Sequence, residues 1–334
     1  MLNLIQRLPK AELHLHIEGT LEPDLMWRLA QKHNIELPFD SVEAIRRAYQ
    51  FDSLQSFLDL YYQGANVLLD EDDFYELMWA YLLVCKKQNI VHTEIMFDPQ
   101  THTERGIPFS VFMSGFDRAI AKAEQELGVS VYLIMSFLRH LSEEAAIDTL
   151  FAAAPYYSMI KAVGLDSSER GNPPAKFERV FAQSSALGFK LVAHAGEEGP
   201  PNYIWQAIKH LNVDRIDHGV RSAEDSELML YLQEHQMPLT VCPLSNLKLR
   251  VIDKMEEHNI LDLLSRGINV MVNSDDPSYF GGYLNENYAA LVHSLSLSKE
   301  QLIELVFNSI RASFLPNEMK GKWLDEIQRI AQEA

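Results

Sequence analysis

The chain has 334 residues, 47% hydrophobic and 23% charged, a globular composition that argues against a disordered chain or a fibre. Twenty-nine Lys and Arg face 47 Asp and Glu, a net charge of −18 that repels phosphate backbones and argues against duplex nucleic acid or a polybasic membrane anchor. The length suits two ordinary domains, or one α/β barrel of about 250 residues carrying insertions.

The first residues, MLNLIQRLPKAELHLH, hold no apolar run of signal-peptide length. No later stretch approaches the roughly 20 apolar residues that span a bilayer. The two cysteines, Cys85 and Cys242, make no disulfide framework. A soluble cytoplasmic protein is expected, acting on a small molecule with no nucleic acid or membrane partner; a homo-oligomer is compatible with the sequence.

Eight short apolar runs recur along the chain: Glu12–Leu15, Val91–Phe97, Val131–Leu138, Ile160–Leu165, Leu191–Ala195, Arg215–Asp217, Leu239–Cys242 and Asn269–Val272. Several are nearly continuous in Val, Ile and Leu, as parallel strands buried on both faces are. Between them lie helical patterns at Phe116–Leu127, Lys176–Leu187 and Ala223–Gln236, and Lys299–Ala334 reads as two helices parted near Leu315-Pro316. The alternation predicts an α/β fold, a (β/α)8 TIM barrel, over a doubly wound sheet, which favours a glycine-rich phosphate loop that is absent here. After the first strand a long helical insertion, about residues 20–89, carries Asp40-Ser41 and Asp52-Ser53 as helix caps; placed on the catalytic face, it reads as a lid. No linker divides the chain, so residues 1–334 read as a single domain.

Chemistry collects at strand ends, which in a barrel converge on one mouth. His14 and His16 are two apart on a strand and share a face, although an isolated His-x-His is more often a pair of buried, hydrogen-bonded rings. His194 at the end of the fifth strand and Asp275 after the eighth change that balance. Three imidazoles and a carboxylate suit one divalent metal, Zn²⁺ first, with Fe²⁺ or Mn²⁺ also fitting. No lysine ends the fourth strand, so a carbamylated bridge between two metals is not indicated. His218, ending the sixth strand, is a candidate base or orienting group for a metal-activated water, or else a structural histidine. Glu197 is a candidate proton donor, which requires burial to raise its pKa; its competing role is at the start of the helix after Pro200-Pro201. Asp276 follows the proposed ligand and can accept a hydrogen bond from substrate or water. His33, His210, His235 and His258 read as solvent-facing, Cys242 as a buried strand residue, and Phe57, Tyr61 and Tyr62 as core or lid lining.

Together Pro9-Lys10-Ala11-Glu12-Leu13-His14-Leu15-His16, His194-Ala195-Gly196-Glu197, Asp217-His218-Gly219, Cys242-Pro243-Leu244-Ser245-Asn246 and Asn273-Ser274-Asp275-Asp276-Pro277 resemble the adenosine/adenine deaminase family of the amidohydrolase superfamily, over essentially the whole chain. The resemblance implies a purine aminohydrolase holding one metal, usually zinc, on His14, His16, His194 and Asp275. It implies Glu197 as the acid that protonates ring nitrogen N1, His218 as the group that orients and deprotonates water, and Asp276 as the partner of purine N7.

Adenosine deaminases typically carry Asp, a ribose contact, where this chain has Glu18, and end the fourth strand in Gly-Asp-Glu, where it reads Leu165-Asp166-Ser167-Ser168-Glu169. Glu18 and Ser167 are thus implied to lie beside the substrate, the longer acid filling ribose space. Asp98-Pro99-Gln100-Thr101-His102-Thr103, Glu198-Gly199-Pro200-Pro201-Asn202-Tyr203-Ile204-Trp205 and Tyr279-Phe280-Gly281-Gly282-Tyr283 resemble the adenine deaminase branch. The implied reaction is adenine to hypoxanthine and ammonia, in purine salvage. The alternatives are the same chemistry on adenosine or N6-substituted adenines, another mononuclear metal hydrolysis, or a binding homologue without activity.

Overall fold

The computed structural model describes residues 1–51 and 53–333. Eight parallel strands lie in sequence order around one sheet: β1 (Lys10–His16), β2 (Ile90–Phe97), β3 (Ser130–Leu138), β4 (Ile160–Asp166), β5 (Lys190–Ala195), β6 (Arg215–His218), β7 (Leu239–Val241) and β8 (Val270–Val272). The sheet curls into a TIM barrel with helices outside. The last strands are shorter than the sequence suggests because their ends turn into the mouth: Cys242 caps the helix Pro243–Lys248, and Asn273–Asp276 run on as irregular chain.

The barrel closes between β8 and β1 through a single bridge, Leu15 to Asp275, rather than a ladder. Side chains complete the seam. Asn273 Oδ1 accepts from Leu13 N at 2.8 Å, and the buried Glu12 carboxylate accepts from Ser274 N and Ser274 Oγ at 3.1 and 2.5 Å. A register shift between Glu12 and Leu15 breaks strand alternation, so Glu12 turns outward to receive the Tyr81 hydroxyl at 2.6 Å while His14 and His16 face the mouth.

Inside the barrel the residues stack in layers. Met96, Ile134, Ala162 and Val192 form an apolar layer packed on Phe314. Beneath them Arg215 is fully buried and donates to Glu94 Oε2 at 2.6 Å and to Leu13 O at 3.0 Å. Burial pushes the Glu94 pKa up, but Arg215 and then His92 outweigh it and hold the carboxyl below its ordinary value.

The chain between β1 and β2 is helical at Pro23–Lys32, Val42–Ala48, Leu54–Ala65 and Glu71–Gln88. Ser41 and Ser53 cap two of these helices with their side chains; Asp52 lies outside the described residues. Glu71–Gln88 packs along Phe109–Glu126 in the outer layer, so it is a barrel helix, and Leu54–Ala65 is the helix that reaches the mouth. The expected helix at Phe116–Leu127 begins earlier, at Phe109, and the two C-terminal helices are Lys299–Ala312 and Asn317–Glu333.

Glu94→Ala removes the close carboxylate partner of the buried Arg215 guanidinium, leaving Asp217 at 3.8 Å, and is expected to cost about 3–5 kcal/mol in chemical denaturation, against under about 1 kcal/mol for an exposed ion pair.

Candidate functional site

Four donor atoms converge where β1, β5 and β8 end. His14 Nε2 lies 3.1 Å from His194 Nε2 and 3.2 Å from Asp275 Oδ1. His16 Nε2 lies 3.2 Å from the same His194 nitrogen and 3.5 Å from the same Asp275 oxygen. A tetrahedral cation with bonds of about 2.0–2.1 Å sets its ligands roughly 3.3–3.4 Å apart, so the spacing fits one such ion.

The ring tautomers point the same way. Thr240 donates its hydroxyl to Asp217 Oδ1 at 2.9 Å, so at 2.9 Å from His14 Nδ1 it can only accept. The proton is therefore on Nδ1, and the Nε2 lone pair faces the other donors. Asp217 Oδ2 lies 3.7 Å from His194 Nδ1, and Asp166 Oδ2 lies 3.4 Å from His16 Nδ1. Each ligand ring thus has a carboxylate or a carboxylate relay behind it.

Backbone geometry is unusual at these tips. Ser167, His218 and Asp275 have φ of 72°, 66° and 64°, a left-handed conformation that non-glycine residues rarely adopt. Asp275 is locked there by hydrogen bonds with β1, from Asp275 N to His14 O at 3.1 Å and from His16 N to Asp275 O at 3.0 Å.

Glu197 stands three residues past His194 and is 4% exposed. Its Oε1 has no hydrogen-bond partner, and burial first, then the Asp275 and Glu169 charges, push its pKa well above the ordinary range. Its loop hangs on Glu169, which accepts from the backbone N–H of Gly196, Glu197, Glu198 and Gly199 at 2.7, 3.2, 2.8 and 2.7 Å. Gly196 has φ 73°, and a Cβ there would meet Ile204 at 2.4 Å. His218 Nε2 lies 3.5 Å from Glu197 Oε2 and 3.8 Å from Asp275 Oδ2. Burial lowers its pKa to about 3, so the ring is neutral and able to take a proton. Asp276 is buried with Oδ1 unpartnered, and burial followed by the Asp275 charge raises its pKa. The approach of Gly19 makes room for it: a Cβ there would lie 2.0 Å from Asp276 Oδ1.

These groups line one concave cavity at the barrel mouth, the usual kind of place for a small-molecule site. Leu54, Phe57, Leu58, Tyr61 and Tyr62 of the mouth helix form one wall. Ser167 lines it too, its Oγ 2.8 Å from both Tyr62 OH and His140 Nδ1. Glu18 does not line it. Glu18 sits one layer behind, accepting from His102 Nε2 at 2.8 Å and Asp98 N at 3.2 Å. It reaches the cavity only through its neighbours Asp98 and Tyr61.

Asp98 and Asp166 line the cavity without having been singled out from sequence. Strand periodicity carried the signal, since each lies two residues beyond an inward-facing position, Met96 and Gly164. Glu169, Asp217 and Thr240 were likewise unassigned, and only tertiary contacts reveal their positioning roles. His258, expected at the surface, is buried: its Nε2 meets Asn246 Oδ1 at 3.1 Å and its Nδ1 accepts from Ile260 N at 3.1 Å. His210 and His235 are exposed, and His33 is half-buried against Asp73.

Fold and site define a metal-dependent hydrolase barrel, and comparison with known proteins gives its family. The family described as adenosine deaminase matches residues 9–330, and the chain belongs to it. Two relatives named adenine deaminase, from Acinetobacter baylyi and Wolinella succinogenes, are 59% and 60% identical, covering 98% and 97% of this chain and 98% of each relative. The crystal structure of adenine deaminase from Arthrobacter aurescens superposes with a TM-score of 0.96 at 47% identity, covering 97% of this chain and 99% of that one. An amidohydrolase from Burkholderia ambifaria with bound Zn shares the fold, with a TM-score of 0.90 at 23% identity over 99% and 94% of the two chains.

Thr240→Val removes the relay from Asp217 to His14 while keeping the volume. Chelator competition should show metal affinity weakened about 10–100-fold, the usual effect of losing a partner behind a ligand ring; unchanged affinity would show that the relay does not orient His14.

Proposed function

We propose that this chain is an adenine deaminase, converting adenine and water to hypoxanthine and ammonia, with one zinc ion held by His14, His16, His194 and Asp275. The observation that carries the reading is the placement of Glu197, His218 and Asp276 around one cavity beside the donors His14, His16, His194 and Asp275. The close relatives named adenine deaminase, matched end to end, support the substrate. Zinc is supported by the His₃Asp donor set and by the zinc-bearing amidohydrolase of the same fold; Fe²⁺ and Mn²⁺ suit the same donors. When bound, the cation would supply a Lewis acid that lowers the pKa of a coordinated water to about 7.

The chain's own residues do the rest. Glu197, kept protonated by burial, donates its proton to purine N1 and draws electrons from C6. His218, kept neutral, accepts the proton that water releases as its oxygen attacks C6. Asp276, protonated, donates to N7 and fixes the ring in plane. The aromatic mouth helix excludes bulk water, which strengthens each of these interactions. The amino group takes the water-derived proton from His218 and leaves as ammonia, while the hydroxyl proton at C6 returns to Glu197 as the C6 carbonyl forms.

We read the whole chain as one domain, the stretch about 20–89 supplying the mouth helix as a lid. A cytoplasmic setting is supported by the two buried, unpaired cysteines. Among the described residues no helix is long and apolar enough to cross a membrane.

Ammonia release from metal-replete enzyme, measured on adenine, adenosine, AMP and N6-alkyl adenines, should be confined to adenine; preference for any other member would overturn the substrate while keeping the mechanism. Glu197→Gln should retain its metal and lose about 10²–10⁴-fold in kcat, the usual contribution of a positioned proton donor; normal turnover would remove Glu197 from the acid role.

A further inference from the structure

Asp98 and Asp166 stand together in the cavity wall, each 2% exposed, one following β2 and the other ending β4. Asp98 Oδ2 receives the Tyr61 hydroxyl at 3.2 Å, a proton that Glu18 Oε2 also approaches at 3.4 Å. Among the described residues no N–H or O–H donor reaches Asp98 Oδ1 or either Asp166 oxygen; the two carboxyls lie against each other, and the His16 ring is 3.4 Å from Asp166. Buried carboxylate oxygens are normally satisfied by donors. Here three are left facing the space in which a substrate must lie.

The rest of the cavity says which part of the substrate they meet. Glu197 and His218 come from the ends of β5 and β6; Asp98 comes from β2 across the barrel, Asp276 from β8, and Asp166 from β4 beside β5. A purine whose N1 meets Glu197 turns its five-membered ring toward these three carboxyls. On that ring a free base carries an N–H, at N9 when N7 is unprotonated, while a nucleoside carries carbon there. We propose that Asp98 and Asp166 accept this ring N–H and that they, rather than Glu18 directly, make the site selective for the free base over purines substituted at N9. The proposal deepens the adenine reading and rests on it. A site built to bond an N–H rejects the analogue lacking it by about 10⁴–10⁵-fold, because its buried acceptors are then unpaired.

The test uses metal-replete enzyme with adenine and 9-methyladenine as substrates, and hypoxanthine and 9-methylhypoxanthine as calorimetric ligands. In the wild type, kcat/KM is expected to fall at least about 10³-fold on N9 methylation, with a parallel loss of product binding. Asp98→Leu keeps the branching and heavy-atom count, in a somewhat bulkier side chain, and removes the acceptors. It should lower kcat/KM on adenine at least a hundredfold, change it less than tenfold on 9-methyladenine, and so collapse the ratio. Equal losses on both substrates would show that Asp98 only supports the fold, and would overturn the proposal. Should the variant fail to fold, the wild-type pair decides alone: near-equal binding of the two hypoxanthines means that water satisfies the carboxylates. A wild type that binds adenine and its product but releases no ammonia would instead strike the deaminase reading.

Discussion

His14 and His16 each hold a ring nitrogen 3.1–3.5 Å from His194 Nε2 and from Asp275 Oδ1, and donors crowded in this way repel one another unless something positive sits among them. Most of the mouth's architecture serves to keep that cluster together. Three of the four donors flank the β8–β1 seam, where the backbone ladder is reduced to one bridge. A conventional ladder could not leave Asp275 in a left-handed conformation with its side chain aimed at His14. Glu12 and Asn273 replace the missing backbone bonds with side-chain ones, so the seam stays closed while its strand ends are free to diverge.

The second demand is for carboxyls that do different work at close quarters. Asp275 lies among three histidine rings and is held ionised by them, against its burial. Glu197 and Asp276, within the same cavity, lack such partners and take the opposite shift. Carboxyls of one cavity are thus shifted in opposite directions by environment rather than by residue type. Lower in the barrel, Arg215 is committed to Glu94 and lies 3.8 Å from Asp217, tying the polar interior to the group behind His14. Destabilising features at the mouth, among them three non-glycine tips at positive φ, rest on this rigid floor.

Much of this was legible in the sequence. Continuous Val, Ile and Leu runs mark strands buried on both faces, and eight of them interleaved with helical patterns leave few architectures. The residues that convene in the cluster sit at strand ends, where period-two alternation and barrel topology bring them together. What stayed hidden depends on contacts between elements distant in sequence. Glu169 is one carboxylate after β4, and only the fold shows it receiving four N–H groups from the Glu197 loop. Glu18 was expected in the ribose space because a side chain's direction after a strand end cannot be fixed from spacing; the 3-10 turn Glu18–Thr20 swings it behind the wall toward His102. The outer-facing Glu12 required the bulge in β1, and β-bulges leave no mark in an apolar pattern. His258 lies in a loop pattern that reads as exposed, yet it packs under Asn246.

The central claim is the position of the cation, and it has built-in rivals: His218 lies close enough to join His14, His194 and Asp275, and His16, Asp98 and Asp166 also lie close enough to share an ion. Anomalous scattering from crystals grown with zinc decides between them. The account predicts one peak within about 2.0–2.2 Å of His14 Nε2, His16 Nε2, His194 Nε2 and Asp275, with Asp98 and Asp166 free of metal. A peak centred on His16, Asp98 and Asp166, or two peaks of equal occupancy, would contradict it.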